Sequence, residues 1–216
     1  AVDVASGATL TLGANETLSA LTSAGTINGA FTLQAASYGL TAGQVTANLG
    51  TGTLTKSGAG TATLSGTAGA TTVNITGGQL TLGAAERLAD TAAVTVNGGT
   101  LALGTFSDTV GAVTLTSGNI TGSSGVLTGT GYTVSDGTVS AVLAGGAGVN
   151  LAKTTSGTVV LSGTNTYAGT TTVSAGTLTL NGGAAISDTA GAVDVASGAT
   201  LTLGANETLS ALTSAG

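Results

Sequence analysis

The stretch SGTVVLSGTNTYAGTTTVSAGTLTLNGG (residues 156–183) contains the pattern that decides the fold. In its GTLTL segment (176–180), Thr alternates with Leu, which places Leu on one side of an extended chain and Thr on the other. Runs of this kind, each followed by residues that tolerate tight turns, recur along the chain as ATLTLG (8–13), TTVNIT (71–76), GQLTLG (78–83) and AVTLT (112–116). The sequence therefore predicts many short strands with one apolar side.

Helices are not expected. Only GAAERLADTAA (83–93) has a helix-like composition, and its counterpart NGGAAISDTAG (181–191) does not, so both segments are predicted to be loops or single turns. The chain also contains no Pro, a residue that would interrupt the hydrogen bonds of interior strands. These features predict an all-β protein.

Two levels of repetition organise the chain. Residues 1–25 recur without change as residues 192–216, an interval of 191 residues. Within that interval, KSGAGTATLSGT (56–67) resembles KTTSGTVVLSGT (153–164), 97 residues later. We therefore expect a repeat unit over residues 1–191 with two diverged halves, a second-half motif near residues 153–183, and the next copy beginning over residues 192–216. We also expect the two terminal copies to share one backbone conformation.

Short strands at regular spacing with abundant Gly are compatible with a solenoid or with an antiparallel sandwich or barrel. The tandem repetition and the small core residues favour the solenoid, because a narrow coil has room only for a thin core. With coils of roughly twenty residues, the predicted structure is one continuous parallel β-helix (β-solenoid) of about ten coils over residues 1–216.

Residues 156–183 resemble the autotransporter-associated β-strand repeat, which occurs in passenger domains of bacterial type V secreted proteins. A degenerate copy, without the NTY segment, lies at residues 58–83. The resemblance implies a right-handed parallel β-helix in a large cell-surface or secreted protein, with its signal and translocator outside this stretch. The positions that carry the motif, to which the resemblance assigns a structural role, are Gly157, Leu161, Ser162, Gly163, Asn165, Thr166, Tyr167, Gly169, Thr170, Thr171, Val173, Gly176, Thr177, Leu178 and Leu180.

Charge excludes several classes of partner. Lys and Arg number three in 216 residues, at Lys56, Arg87 and Lys153, which is too few for a phosphate-binding surface or a polybasic membrane anchor. The longest apolar run, AVLAGGAGVNLA (141–152), is too short to span a bilayer. We expect neither nucleic-acid binding nor membrane insertion by this segment.

Candidate catalytic and metal-binding residues are few. Without His or Cys, the usual proton shuttles and thiol nucleophiles are missing. The closest mixed group, Glu86, Arg87 and Asp90, is expected to be a solvated loop with a local ion pair. The calcium-binding nonapeptide is matched once, by GGAGVNLAK (145–153), with Asn150 in place of Asp, and this Asn is expected to cap a turn through the backbone. We predict no catalytic, cofactor-binding or metal-binding residues.

These observations favour a structural function, as an elongated stalk in a large bacterial adhesin or filament. Expected partners are adjacent copies of the repeat, stacked end to end, and other cell surfaces or surface polysaccharide. Two alternatives stay open. Thr-x-Thr pairs such as Thr9/Thr11 and Thr177/Thr179 are compatible with an ice- or surface-binding module, and the fold class also includes polysaccharide-active enzymes. Phe31 and Phe106 are expected to fill gaps at the ends or corners of the coil, and Tyr167 to pack at a turn.

Overall fold

The computed structural model describes residues 1–187 and 191–215, all in strands, turns and loops. Residues 188–190, which belong to the predicted loop over 181–191, and Gly216, at the end of the second terminal copy, lie outside the described residues. Every strand pair in the described part of the chain is parallel, and the chain winds through about eleven turns of a β-solenoid with three faces. The predicted fold class is confirmed.

The first face is one continuous ladder in which each strand pairs with the strand one turn later, 16 to 22 residues along the chain. Two long strands pass from this face into the second. The strands are Val2–Val4, Ala20–Ser23, Ser37–Leu40, Thr53–Lys56, Thr72–Ile75, the first parts of Ala93–Gly104 and Ala112–Gly122, Gly131–Val134, Leu151–Lys153, Thr171–Val173, Val193–Val195 and Leu212–Ser214.

The second face repeats this arrangement, and the third is less regular. The second-face strands are Thr9–Thr11, Thr26–Asn28, Gly43–Val45, Thr61–Leu64, Gln79–Leu82, the second parts of the two long strands, Gly137–Val139, Thr158–Leu161, Thr177–Leu180 and Thr200–Leu203. The third-face strands are Glu16–Thr17, Thr32–Gln34, Asn48–Leu49, Asp108–Thr109, Val126–Thr128 and Val142–Ala144. Isolated parallel bridges join Leu49 to Ala68 and Ala68 to Leu88 along that face.

Alternate residues of each strand point to the inside and to the outside of the coil. In Thr61–Leu64, Ala62 and Leu64 are fully buried while the two Thr residues face outward. Equivalent Leu and Val side chains of successive turns stack at the ~4.8 Å spacing of paired strands, which forms a narrow core along the axis. Such stacking buries each apolar side chain against the turn before and the turn after it, so each added turn contributes its own stabilisation.

The unit of 191 residues corresponds to a whole number of turns. Following the paired residues of the first face from Val2 to Val193 passes through ten turns. The identical terminal copies agree in part of their backbone, with strands at Val2–Val4 and Val193–Val195 and φ angles of 79° at Gly7 and 78° at Gly198. They differ at Glu16–Thr17, a strand with no counterpart among the described residues of the second copy, so the expected common conformation is confirmed only in part.

Candidate functional site

The motif predicted from sequence occupies one turn and the first half of the next. Leu161 and Leu180 pair directly across the second face, and both are fully buried. Among the other motif positions, Val173 and Leu178 are buried, whereas Ser162 and Thr166 are exposed. The structure therefore places the apolar motif residues in the core, while these two small polar residues lie at the bends.

Asn165 ties three consecutive turns together at the third face. Its Oδ1 accepts a hydrogen bond from the Leu143 N–H at 2.8 Å, and its Nδ2 donates to the Ala185 carbonyl at 2.7 Å. The side chain is buried, and this part of the third face has no strand of its own among the described residues. The amide therefore adds two hydrogen bonds to the backbone ones that join these turns, which explains why the motif carries Asn here.

Tyr167 lies between the strands Thr158–Leu161 and Thr171–Val173, with its side chain inside the coil. Its ring is fully buried and packs against the Tyr132 ring, with 5.9 Å between the ring centroids and an angle of 53° between the ring planes. The hydroxyl is 2.7 Å from the Thr171 Oγ1, which gives this buried Thr of the motif a partner. Burial raises the pKa of Tyr167 to about 12. The tyrosine is thus a core residue with its polar end satisfied.

Two motif glycines lie where the backbone of one turn touches the turn below. A Cβ at Gly163 would be 2.3 Å from the Ala141 carbonyl oxygen. At Gly176, φ is +68° and a Cβ would be 2.4 Å from the Gly157 carbonyl oxygen. Side chains are excluded at both positions by contact with backbone, and at Gly176 by conformation as well.

Buried lysines occur in both halves, at positions 97 residues apart. The Lys56 Nζ donates to the carbonyls of Ser57, Gly58 and Gly77 at 2.6, 3.1 and 3.0 Å. The equivalent Lys153 Nζ donates to the Thr155 carbonyl and, at 3.1 Å, to the Ala175 carbonyl.

Both lysine side chains are fully buried, and burial lowers the pKa of each. Each ammonium group therefore satisfies carbonyls of a bend and of the turn above it. Sequence reasoning counted these residues only as scarce surface charges. Their shared place in the two halves was the signal that could have identified them as structural.

At two equivalent places, a carboxylate accepts hydrogen bonds from backbone N–H groups of the preceding turn. The Asp108 Oδ2 accepts from the N–H groups of Arg87 and Leu88 at 2.7 and 3.2 Å. Five turns later, the Glu207 carboxylate accepts from the N–H groups of Ala185 and Ile186 at 3.1 and 2.7 Å.

Asp108 is 1% exposed, and burial raises its pKa to about 6. Its Oδ1 is buried and has no hydrogen-bond partner among the described residues. Sequence reasoning did not separate this Asp from the other acids, because no neighbouring residue marks it as buried.

Other predicted features have mixed outcomes. Arg87 is held by backbone carbonyls, donating to Ala85 and Ser65 at 2.8 Å each. Asn150 accepts from the Thr170 N–H at 2.8 Å, as expected of a residue that caps the backbone. The prediction for Phe31 and Phe106 is wrong: they are 39% and 38% exposed, because both occur in bends outside the stacked core.

The outward Thr residues do not form one uninterrupted plane. On the first face, the column from Thr22 to Thr172 is broken by Gly39, Asn74 and Ala152. On the second face, a separate column includes Gln44 and Ala102. A regular ice-binding array requires a continuous flat surface, so this arrangement does not favour that alternative.

Acidic groups are dispersed over the described part of the chain. Within residues 1–187 and 191–215, no three acidic side chains lie close enough together to hold a metal ion. The same residues include no helix of the length and apolarity needed to cross a membrane.

Hollows lie at the two ends of the coil, lined at one end by residues such as Leu10 and at the other by residues such as Leu201.

Comparison with known families places the motif in the same region. Residues 151–180 match the family model described as passenger-associated-transport-repeat. The match is consistent with an autotransporter passenger repeat in this segment, as the sequence predicted. Comparisons with curated proteins and with solved structures give no significant match.

Proposed function

We propose that this chain is a rigid spacer from the passenger domain of a large bacterial surface or secreted protein, where it serves cell adhesion as an elongated stalk. The observation that carries the proposal is the ladder of the first face, which continues without interruption through successive turns. The passenger-repeat match at residues 151–180 supports the extracellular setting.

The proposed mechanism is geometric. Ten turns per unit at ~4.8 Å per turn give about 48 Å of added length for each copy of the 191-residue unit. Polar residues on the outward faces keep the rod hydrated, while the near-absence of charge leaves little repulsion between turns. The segment is a non-catalytic scaffold in this proposal. Other cells or surface polysaccharide would be bound elsewhere in the parent protein.

The test is to place one, two or three copies of the unit ahead of an outer-membrane translocator barrel, with an epitope at the distal end. The distance of the epitope from the cell surface is measured by atomic force microscopy, and we expect an increment of about 48 Å per copy. Distances that do not increase with copy number would overturn the spacer function. Binding or cleavage of polysaccharide by the purified 216-residue chain would instead indicate a binding module or an enzyme.

A further inference from the structure

The second face differs from the other two faces in its charge. None of its described strands, from Thr9–Thr11 to Thr200–Leu203, contains a charged residue, although the chain has a net charge of −6. The first face carries Asp194 on its outward side, and the bend at Glu86 and Arg87 lies beside the third face. A second molecule can therefore approach the second face with the least electrostatic repulsion.

One row of outward side chains runs along the second face through seven successive turns without a glycine. Its members, called here the outer row, are Thr61, Gln79, Thr100, Asn119, Thr138, Val160 and Thr179. Paired strands set these side chains ~4.8 Å apart along the axis. Because two copies of the chain have the same spacing, a contact that fits at one turn fits at the next turns as well, as in paired sheets with interdigitated small side chains.

Polar groups of the second face already bond to each other within the face. The Thr138 hydroxyl donates to the Asn119 Oδ1 at 2.6 Å, and the Asn119 Nδ2 donates to the Thr100 Oγ1 at 3.4 Å. The Gln79 Nε2 donates to the Thr81 Oγ1 at 2.8 Å. Covering a polar group is costly only when the group loses its hydrogen-bond partners, so these contacts lower the cost of removing water from the face.

We propose that the second face of one chain packs on the second face of a second copy, with the two coils side by side and their outer rows interdigitated. Ten turns at ~4.8 Å per turn, each crossed by a strand about 13 Å long, offer about 600 Å² on each partner. The total of about 1,200 Å² is at the lower limit of specific interfaces, so we expect pairing that depends on protein concentration. This inference concerns the side of the coil and is independent of the proposed spacer function.

Two double variants test which face pairs. Thr138→Lys with Thr179→Lys places two lysines on the second face, and Thr133→Lys with Thr172→Lys places two on the first face of the same turns. Each variant adds two positive charges to a chain of net charge −6, so a general change in repulsion affects both equally.

The second-face lysines meet their own copies across the proposed interface, and like charges in contact oppose association. We expect the dissociation constant of the pair to rise by roughly tenfold or more in the second-face variant and to stay unchanged in the first-face control. Sedimentation equilibrium over a range of concentrations measures this constant, and far-UV circular dichroism verifies that each variant is folded.

The shape of the pair gives a second readout. Side-by-side packing leaves the longest dimension measured by small-angle X-ray scattering nearly unchanged, whereas end-to-end association nearly doubles it. The proposal is overturned if the longest dimension doubles, if both variants respond alike, or if the chain stays monomeric. A monomeric chain that binds an insoluble neutral polysaccharide, with binding lost only in the second-face variant, would assign the face to a carbohydrate and also overturn the proposal.

Discussion

Asp108 provides the sharpest test of the polar contacts inside the coil. Its Oδ2 receives two backbone N–H groups, while its buried Oδ1 has no partner among the described residues. Burial raises the pKa of Asp108 and nearby Glu86 adds to the rise, while the two N–H donors and the Arg87 charge oppose it, with a net value of about 6. The charged form is therefore disfavoured in the folded state.

The size of the effect follows from the difference between the folded and unfolded pKa values. The ordinary pKa of 3.8 and the folded-state pKa of about 6 differ by an amount equivalent to about 3 kcal/mol. Because the folded-state pKa is raised, the folded state binds the Asp108 proton more tightly than the unfolded state does. Asp108 therefore contributes about 3 kcal/mol more to the free energy of unfolding below about pH 4, and this contribution is lost as the pH rises through about 6. The free energy of unfolding should therefore fall over that interval through this group.

Asp108→Asn removes the titrating proton and keeps an amide oxygen for the two N–H donors. We expect the variant to gain up to about 3 kcal/mol relative to the parent chain between about pH 4 and about pH 7.5. An unpaired amide N–H in the variant would lower its free energy of unfolding by about 1–3 kcal/mol at every pH. This shifts the whole difference between variant and parent by a constant amount and leaves its pH dependence unchanged. Urea unfolding followed by circular dichroism at several pH values measures the difference.

The matched control is Asp90→Asn, which removes the same charge from an exposed position. The reasoning is refuted if the free energies of unfolding of Asp108→Asn and of the parent chain change in parallel across this pH range. It is also refuted if Asp90→Asn gains the same pH-dependent stability.

The remaining predictions concern the other buried contacts, each measured by urea unfolding. Lys56→Met leaves three carbonyls without their donor and should lower the free energy of unfolding by about 1–3 kcal/mol; an unchanged midpoint would show that water replaces the ammonium. Gly176→Ala should cost clearly more than Gly198→Ala, since both have positive φ but only the former meets backbone, and equal losses would contradict this. Tyr132→Phe, which removes a hydroxyl bonded to three backbone groups, should cost more than Tyr167→Phe, which loses one hydroxyl partner; the reverse order would contradict the assignment.

Local pattern was sufficient for the strands because alternation needs only neighbouring residues. GTLTL at 176–180 predicted a strand with Leu inside, and Thr177–Leu180 has that pattern of burial. The site was predicted less completely. Leu161 and Gly176 were identified through the family motif, whereas Lys56 and Asp108 were not, because they have partners about one turn away along the chain.

Comparison of the two terminal copies shows which features depend on the sequence alone and which depend on the tertiary structure. The same residues produce equivalent strands at Val2–Val4 and Val193–Val195 and the same turn conformation at Gly7 and Gly198, because these depend on local alternation and on glycine. Burial differs at particular positions: Leu21 is 1% exposed while its equivalent Leu212 is 56% exposed, and Leu12 is 5% exposed while Leu203 is 53% exposed. Sequence thus determines which side of the strand is apolar. Whether that side is buried depends on the turn stacked above it, since hydrophobic burial requires a neighbour that the strand itself does not contain.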